Sequence, residues 1–379
     1  MRNICITSEG IKKLLQNLKP NKAAGPDGIR PKVLKELAPI IAPVLHVIFT
    51  RSLPTQTVSN DWKIAMITPV FKKGDKDSPT NYRPISLTCI CSKLLEHIIT
   101  SCMMSYLDEY KILHHLQHGF CQGRSCETQL LELTRTNLLS NLASGNQTDL
   151  IILDFSKAFD KVCHKKLLSK LDYYGIRGNT LLWINSFLSN RQQCVVVDGE
   201  KSSYLPVLSG VPQGSSIGPA LFLLYRNDLP EYVESTVHLF ADDTVLYLTI
   251  NSQDSCLQLQ TDLFNLEVWE QDWLMSFNPE KCEILRVYRK KTPFLFNYNL
   301  HGVPLKTVPN TKYPGVLLSH DLKWNTHISK MTAKGYRTLG FLKRKLRVNS
   351  PTLKAKAYAS IPRHQLEYCS TVWDPRNIT

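Results

Sequence analysis

The sequence predicts an α+β fold. Three observations carry it. Stretches with helical spacing alternate irregularly with short β-prone runs. The strands are joined by tight turns rather than helical crossovers, and 43% apolar residues in a chain of 379 supply a sizeable core. Taken in order, Ile11 to Leu18 reads as a short amphipathic helix, stopped by Pro20 and followed by the turn-rich Ala24-Gly25-Pro26-Asp27-Gly28. Val33 to Ser52 reads as helix, interrupted near Pro39 and Pro43. Ile64 to Phe71 reads as a strand that runs into the Lys72-Lys73-Gly74-Asp75 turn. Ser92 to Asp108 is expected to be helical because Leu94, Leu95, Ile98 and Ile99 share one side, and Thr128 to Leu142 forms another helix. Leu167 to Tyr174 should end as a helix at Gly175, and Cys194 to Val197 with Gly199 suggests a strand and hairpin. Leu257 to Trp273 reads as a long amphipathic helix and Lys330 to Arg347 as a basic one. No internal repeat or low-complexity tract appears, and the length suits two or three packed subdomains.

Lys and Arg number 46 against 32 Asp and Glu, a formal net charge of +14 that favours a polyanionic partner. The excess is concentrated. From Leu322 to Leu366 there is no acidic residue, while Lys330, Lys334, Arg337, Lys343, Arg344, Lys345 and Arg347 all fall in that window. A solvated helix face mixes its signs, so a one-sign segment of this length is expected to track phosphates. Eleven cysteines without a CxxC pair, and no signal peptide, read as reduced intracellular thiols rather than a disulfide or zinc framework. The longest apolar runs are too short to span a bilayer, so no membrane partner is expected.

Chemistry is expected at three carboxylates. Phe240-Ala241-Asp242-Asp243 lies between β-prone runs and reads as a hairpin whose turn carries two adjacent Asp, which repel unless a cation holds them. Leu150-Ile151-Ile152-Leu153 runs as a buried strand straight into Asp154, a third carboxylate at a strand end. Three such carboxylates suit a two-metal phosphoryl-transfer site.

The flanking motifs resemble the reverse transcriptases of non-long-terminal-repeat (LINE-type) retrotransposons, the jockey-like elements especially. Eight blocks occur in the family's order. They are KAAGPDGI at Lys22 to Ile29, WKIA at Trp62 to Ala65, NYRPISL at Asn81 to Leu87 and QHGFCQGRS at Gln117 to Ser125. LDFSKAFDKVCH at Leu153 to His164, SGVPQGSSIGP at Ser209 to Pro219, FADD at Phe240 to Asp243 and NPEKCEIL at Asn278 to Leu285 complete the series. The resemblance implies a right-hand polymerase with fingers over residues 1–145, a palm of antiparallel sheet backed by helices over 146–320, and a basic helical thumb over 321–379. It implies an RNA-directed DNA polymerase that extends a DNA primer on an RNA template with dNTPs. Two Mg²⁺ ions, with Mn²⁺ as a substitute, would be held by Asp154, Asp242 and Asp243, the last less tightly committed.

Other roles follow from the same resemblance. Phe155, Phe159, Arg83, Gln213, Gly214, Lys72 and Lys73 would bind the nucleotide, with the Phe159 ring excluding a ribose 2′-OH. Lys281 would protonate the leaving pyrophosphate. Tyr313 and Gly315 would belong to a primer-grip hairpin, and Asp160 reads as structural, pairing with Lys161 or another neighbour. Two positions depart from the family pattern. Pro314 stands where leucine is usual, and as a strand residue it would remove a ladder donor and misplace the primer terminus. Arg226 replaces an apolar residue on the helix after the glycine-rich loop. The chain is short for the family, which leaves open a truncated, non-catalytic nucleic-acid-binding remnant beside the active polymerase. An RNA-templated RNA polymerase is disfavoured by Phe159. The family's target-primed mechanism implies nuclear action, while oligomeric state and template specificity are not legible.

Overall fold

A computed structural model describes residue 1, residues 4–346 and residues 350–374. The chain divides into two compact units, each assembled from three segments. The first comprises Met1–His114, Lys157–Asp228 and Trp273–Met275, the second His115–Ser156, Leu229–Asp272 and Ser276–Thr379. The architecture is α+β in both.

In the first unit the strand Ile64–Phe71 pairs antiparallel with Tyr82–Leu87 and parallel with Arg191–Val197. The sheet continues through Glu200–Lys201 and Leu205–Val207. The helix Ile90–Glu109 buries Leu94, Leu95, Ile99 and Met103, the apolar side that its sequence marks. The expected helix over 33–52 is interrupted next to Pro39, as the sequence suggests, but not at Pro43. Pro31–Glu36 and Ala38–Ser52 are separate helices meeting at Leu37, and Pro43 sits inside the second. Burial of Ala38, Ala42, Leu45 and Phe49 on one face offsets the single hydrogen bond that Pro43 forgoes. Gly218–Tyr225 is a helix buried along almost its whole length. Arg226 at its end is fully buried, its guanidinium 5.9 Å from the Phe222 ring centroid.

The second unit is built on a five-stranded sheet in the order Lys306–Thr307, Glu283–Val287, Gln147–Leu153, Asp243–Ile250, Thr236–Phe240. Its central strand Gln147–Leu153 is paired antiparallel on both edges and buried at every position but the half-buried Ile152, its polar start Gln147–Asp149 included. Helix Gln253–Trp273 contributes Leu259, Leu263, Leu266 and Trp269 to the core. The predicted 128–142 helix is one rod with an interruption. Cys126–Leu131 and Leu139–Ala143 are α-helical, and Glu132–Leu138 between them is wound as a π-helix, with the Thr134 hydroxyl donating to the Leu130 carbonyl at 2.6 Å.

The basic helix runs Asn325–Lys345 and passes close to Leu366 at Gly335, where a Cβ would come within 2.9 Å of the leucine side chain. Arg347 lies outside the described residues. Among the described residues the cysteines are free thiols, and no helix is long and apolar enough to cross a membrane.

Candidate active site

The central strand of the second unit delivers Asp154. Leu153 pairs with Thr244, so Asp154 lies one step beyond, level with Asp243 on the adjacent strand. Its backbone is locked from the other side. The Asn278 amide donates to the Asp154 carbonyl at 2.8 Å and the Ser156 amide donates to Ser276 at 2.8 Å. The Phe155 ring between these bonds is 6% exposed, stacked 4.3 Å from Phe277 and packed 5.9 Å from Trp269. Sequence reasoning expected Phe155 among the nucleotide contacts. Its ring is instead committed to the core, where it stiffens the strand end beneath Asp154.

Phe240 pairs with Asp243, leaving Ala241 and Asp242 as a two-residue turn. Asp242 and Asp243 are exposed, and Ala241 is buried with a left-handed φ of 54°. The sequence-predicted hairpin and its two carboxylates are therefore present. Lys281 enters on the short turn Pro279–Lys281, whose start is capped by the Asn278 side chain accepting from the Glu280 amide. Its Nζ stands 3.4 Å from Asp154 Oδ1, both groups being about half exposed. Beneath them burial pushes the Cys282 thiol up to about 11, so it stays protonated and inert. Among the described residues no three His, Cys, Asp or Glu side chains converge on a single point. The available donors are carboxylate oxygens alone, a set that suits a hard divalent cation and not zinc. The Lys281 ammonium partners Asp154.

The first unit holds the remaining expected nucleotide contacts. Phe159 is half-buried and stacks 4.5 Å from Phe222. Gln213 donates to Asp160 Oδ1 at 2.9 Å, which gives Asp160 a structural partner. The glycine-rich loop is pinned to its surroundings through its backbone. The Val211 amide donates to Phe159, Gly210 to Val162, and Ser86 donates to the Gln213 carbonyl, each at 2.8 Å. Gly214 has a φ of 130° and its Cβ would stand 2.6 Å from the Ser86 carbonyl oxygen, so only glycine fits. The loop borders a cleft of about 340 Å³ whose wall includes Gln213, Asp160, Lys157 and Arg191. Arg83, Lys72 and Lys73 are exposed on and beside the neighbouring strand pair, Arg83 facing Val70 across it.

Two buried ionisable side chains behind this loop escaped the sequence reading. Glu96 is fully buried and accepts from Ser92 Oγ at 2.9 Å and from the Ser216 amide at 2.7 Å, tying the loop to the Ile90–Glu109 helix. Burial pushes its carboxyl above the ordinary range. Arg191, 2% exposed, donates to the Phe187 carbonyl at 3.0 Å, and burial lowers it to about 10, still charged at neutral pH. The available signal was an acid set among Leu94, Leu95 and Ile99 on an otherwise apolar face.

A hairpin does form at the expected place, Asn310–Tyr313 paired with Val316–Ser319. Pro314 is not within a strand. With Gly315 at φ 83° it forms the two-residue turn between them, so no ladder bond is lost and the feared misplacement has no basis. Tyr313 is 1% exposed and its hydroxyl accepts from Gln129 Nε2 at 2.8 Å, which makes it a packing residue and not a surface open to nucleic acid. Gly315 is exposed at the turn. On the basic helix Lys330, Lys334, Arg337, Lys343, Arg344 and Lys345 are all exposed.

Residues 71–342 match the family model described as reverse transcriptase (RNA-dependent DNA polymerase), which is more than half of the chain. The chain belongs to the reverse transcriptase family. It is 30% identical over 370 residues to the probable RNA-directed DNA polymerase from transposon BS of Drosophila melanogaster, covering 93% of this chain and 40% of that protein. Against the RNA-directed DNA polymerase from mobile element jockey of the same species it is 29% identical over 345 residues, 88% of this chain and 37% of the relative. The probable RNA-directed DNA polymerase from transposon X-element of that species is 29% identical over 331 residues, 83% of this chain and 35% of the relative. The resemblance to non-LTR retrotransposon polymerases that the motifs carry therefore holds across most of this reverse transcriptase chain. The chain spans about two fifths of the length of these relatives or less.

Proposed function

We propose that this reverse transcriptase chain is an active RNA-directed DNA polymerase, extending the 3′-OH of a DNA primer on an RNA template with dNTPs. One observation carries the reading. Asp154 at the end of the central strand lies level with the Asp242-Asp243 turn of the paired hairpin, with all three carboxylates at least partly exposed. Asp154, Asp242 and Asp243 would hold two Mg²⁺ ions, or Mn²⁺ in their place, and bound metal would lower the charge barrier to attack on a phosphoryl group. Lys281 supplies a proton to the leaving pyrophosphate, help worth roughly 10²–10⁴-fold. Phe159, braced by Phe222, crowds the sugar 2′ position, while Gln213, Gly214 and Arg83 face the nucleotide, with Lys72 and Lys73 adding positive charge. The second unit's sheet acts as the palm, the Ile64–Leu87 region as fingers, and the exposed cations of Asn325–Lys345 as a thumb along the primer–template backbone. The setting is the nucleus, as target-primed integration requires.

Primer extension on an RNA template tests this, with parent and Asp242→Ala/Asp243→Ala protein side by side in Mg²⁺. Extension by the parent and at least a 10³-fold loss in the double variant is the expected outcome. Failure of both, with primer–template still bound at low salt, overturns the proposal in favour of a non-catalytic remnant.

A further inference from the structure

The Ala241-Asp242 turn is strained, and something must hold it. A non-glycine residue at φ 54° costs about 1–3 kcal/mol and persists only where its surroundings dictate it. The segment Leu116–Gly119 supplies that constraint. It lies along the edge strand Thr236–Phe240, with the Leu239 amide donating to Leu116 at 3.1 Å and the His118 amide donating to Leu239 at 3.0 Å. Gln117 bridges Leu239 in parallel and its side chain is buried, 2% exposed. Its Oε1 accepts from the Gly119 amide at 2.9 Å and from the Ala241 amide at 3.3 Å. Gly119 is pressed so closely against the turn that a Cβ there would stand 2.2 Å from the Ala241 nitrogen. Arg124 fixes the strap from outside by donating to the Gln117 carbonyl at 2.8 Å, and His118 Nδ1 meets Thr128 Oγ1 at 2.9 Å.

We infer that Gln117 is a positioning residue. Its side-chain carbonyl holds the Ala241 amide in the left-handed conformation and thereby sets where the Asp242 carboxylate points. A neutral amide suits this task, because it is an acceptor that adds no negative charge beside Asp242 and Asp243. The role of Asp242 in this inference rests on the polymerase reading, but the bond from Gln117 to the turn does not.

The test compares the full chain with Gln117→Met, which keeps length and loses the acceptor, and Gln117→Glu, which keeps the acceptor. Hydrogen exchange across Phe240 to Asp243 and steady-state primer extension are both read. Gln117→Met is expected to lose at least tenfold amide protection at the turn while the Gln147–Leu153 strand keeps its own. Its kcat should fall roughly 10–100-fold with KM for dNTP unchanged and half-saturating Mg²⁺ raised, the signature of a misplaced ligand. Gln117→Glu should restore most of the turn's protection, while its added negative charge beside Asp242 and Asp243 keeps kcat below that of the parent. Unchanged exchange at the turn in Gln117→Met overturns the inference, and so does loss of protection throughout the sheet in both variants. A parent that extends no primer sinks the polymerase reading alone, since the exchange arm still decides what Gln117 holds.

Discussion

At the level of single residues, neighbours decide what a side chain can do. Phe155 and Phe159 lie four apart in one motif, yet the first is sealed between Phe277 and Trp269 and the second is half-exposed against Phe222. Of the two only Phe159 leaves ring surface open, so on the proposed polymerase reading Phe159→Val should raise ribonucleotide use relative to deoxynucleotide use by roughly 10–100-fold, read as a ratio of kcat/KM values. An unchanged ratio would leave the ring as packing. Asp154 and Lys281 show the same dependence on surroundings. Both are about half exposed and stand 3.4 Å apart, so the pair is screened by solvent and holds the carboxylate only weakly.

Among the elements, the two carboxylate-bearing segments are held by different means. The hairpin turn depends on the Leu116–Gly119 strap, whereas the strand end at Asp154 is clamped by the Ser276–Asn278 segment. That clamp leans on Glu270, 3% exposed on the Gln253–Trp273 helix, which accepts from the Phe277 amide. His301 Nε2 stands 2.7 Å from its carboxyl, and Glu267 adds a like charge nearby. Burial raises Glu270 from 4.5 to about 7. The folded state therefore holds a proton that the unfolded chain gives up, and stability falls as pH rises from about 4.5 to about 7, levelling beyond. The expected loss is about 2–4 kcal/mol, read by urea unfolding across that range, and Glu270→Gln should flatten it. A parent curve as flat as the variant's would remove Glu270 from this account.

For the molecule as a whole, the charged groups fall on separate elements. The carboxylates expected to hold metal belong to one unit, the glycine-rich loop and Phe159 to the other, and the acid-free Asn325–Lys345 helix exposes its cations to solvent. If six of those cations replace counterions on a primer–template, affinity should fall about 10³-fold between about 50 and 200 mM salt. Lys334→Ala/Arg337→Ala should lower the slope of log affinity against log salt by about 2, measured by fluorescence anisotropy. A slope unaffected by the pair would place the nucleic acid elsewhere.

Much of the fold was legible because its signals are local. The Ile64–Phe71 strand, the Ile90–Glu109 helix and the Phe240–Asp243 hairpin each announce themselves within a dozen residues, through period, apolar face or turn chemistry. That Asp154 follows a strand and that Asp242 and Asp243 sit at a hairpin turn was legible for the same reason. What only the tertiary structure decided concerns contacts between residues far apart in the chain. Whether Pro314 sits in a strand or a turn depends on pairing register, and whether Phe155 or Tyr313 is covered depends on partners over a hundred residues away. Gln117 is the clearest case. Its bond to Ala241 spans 124 positions, and no periodicity or propensity within either segment encodes a distance of that kind.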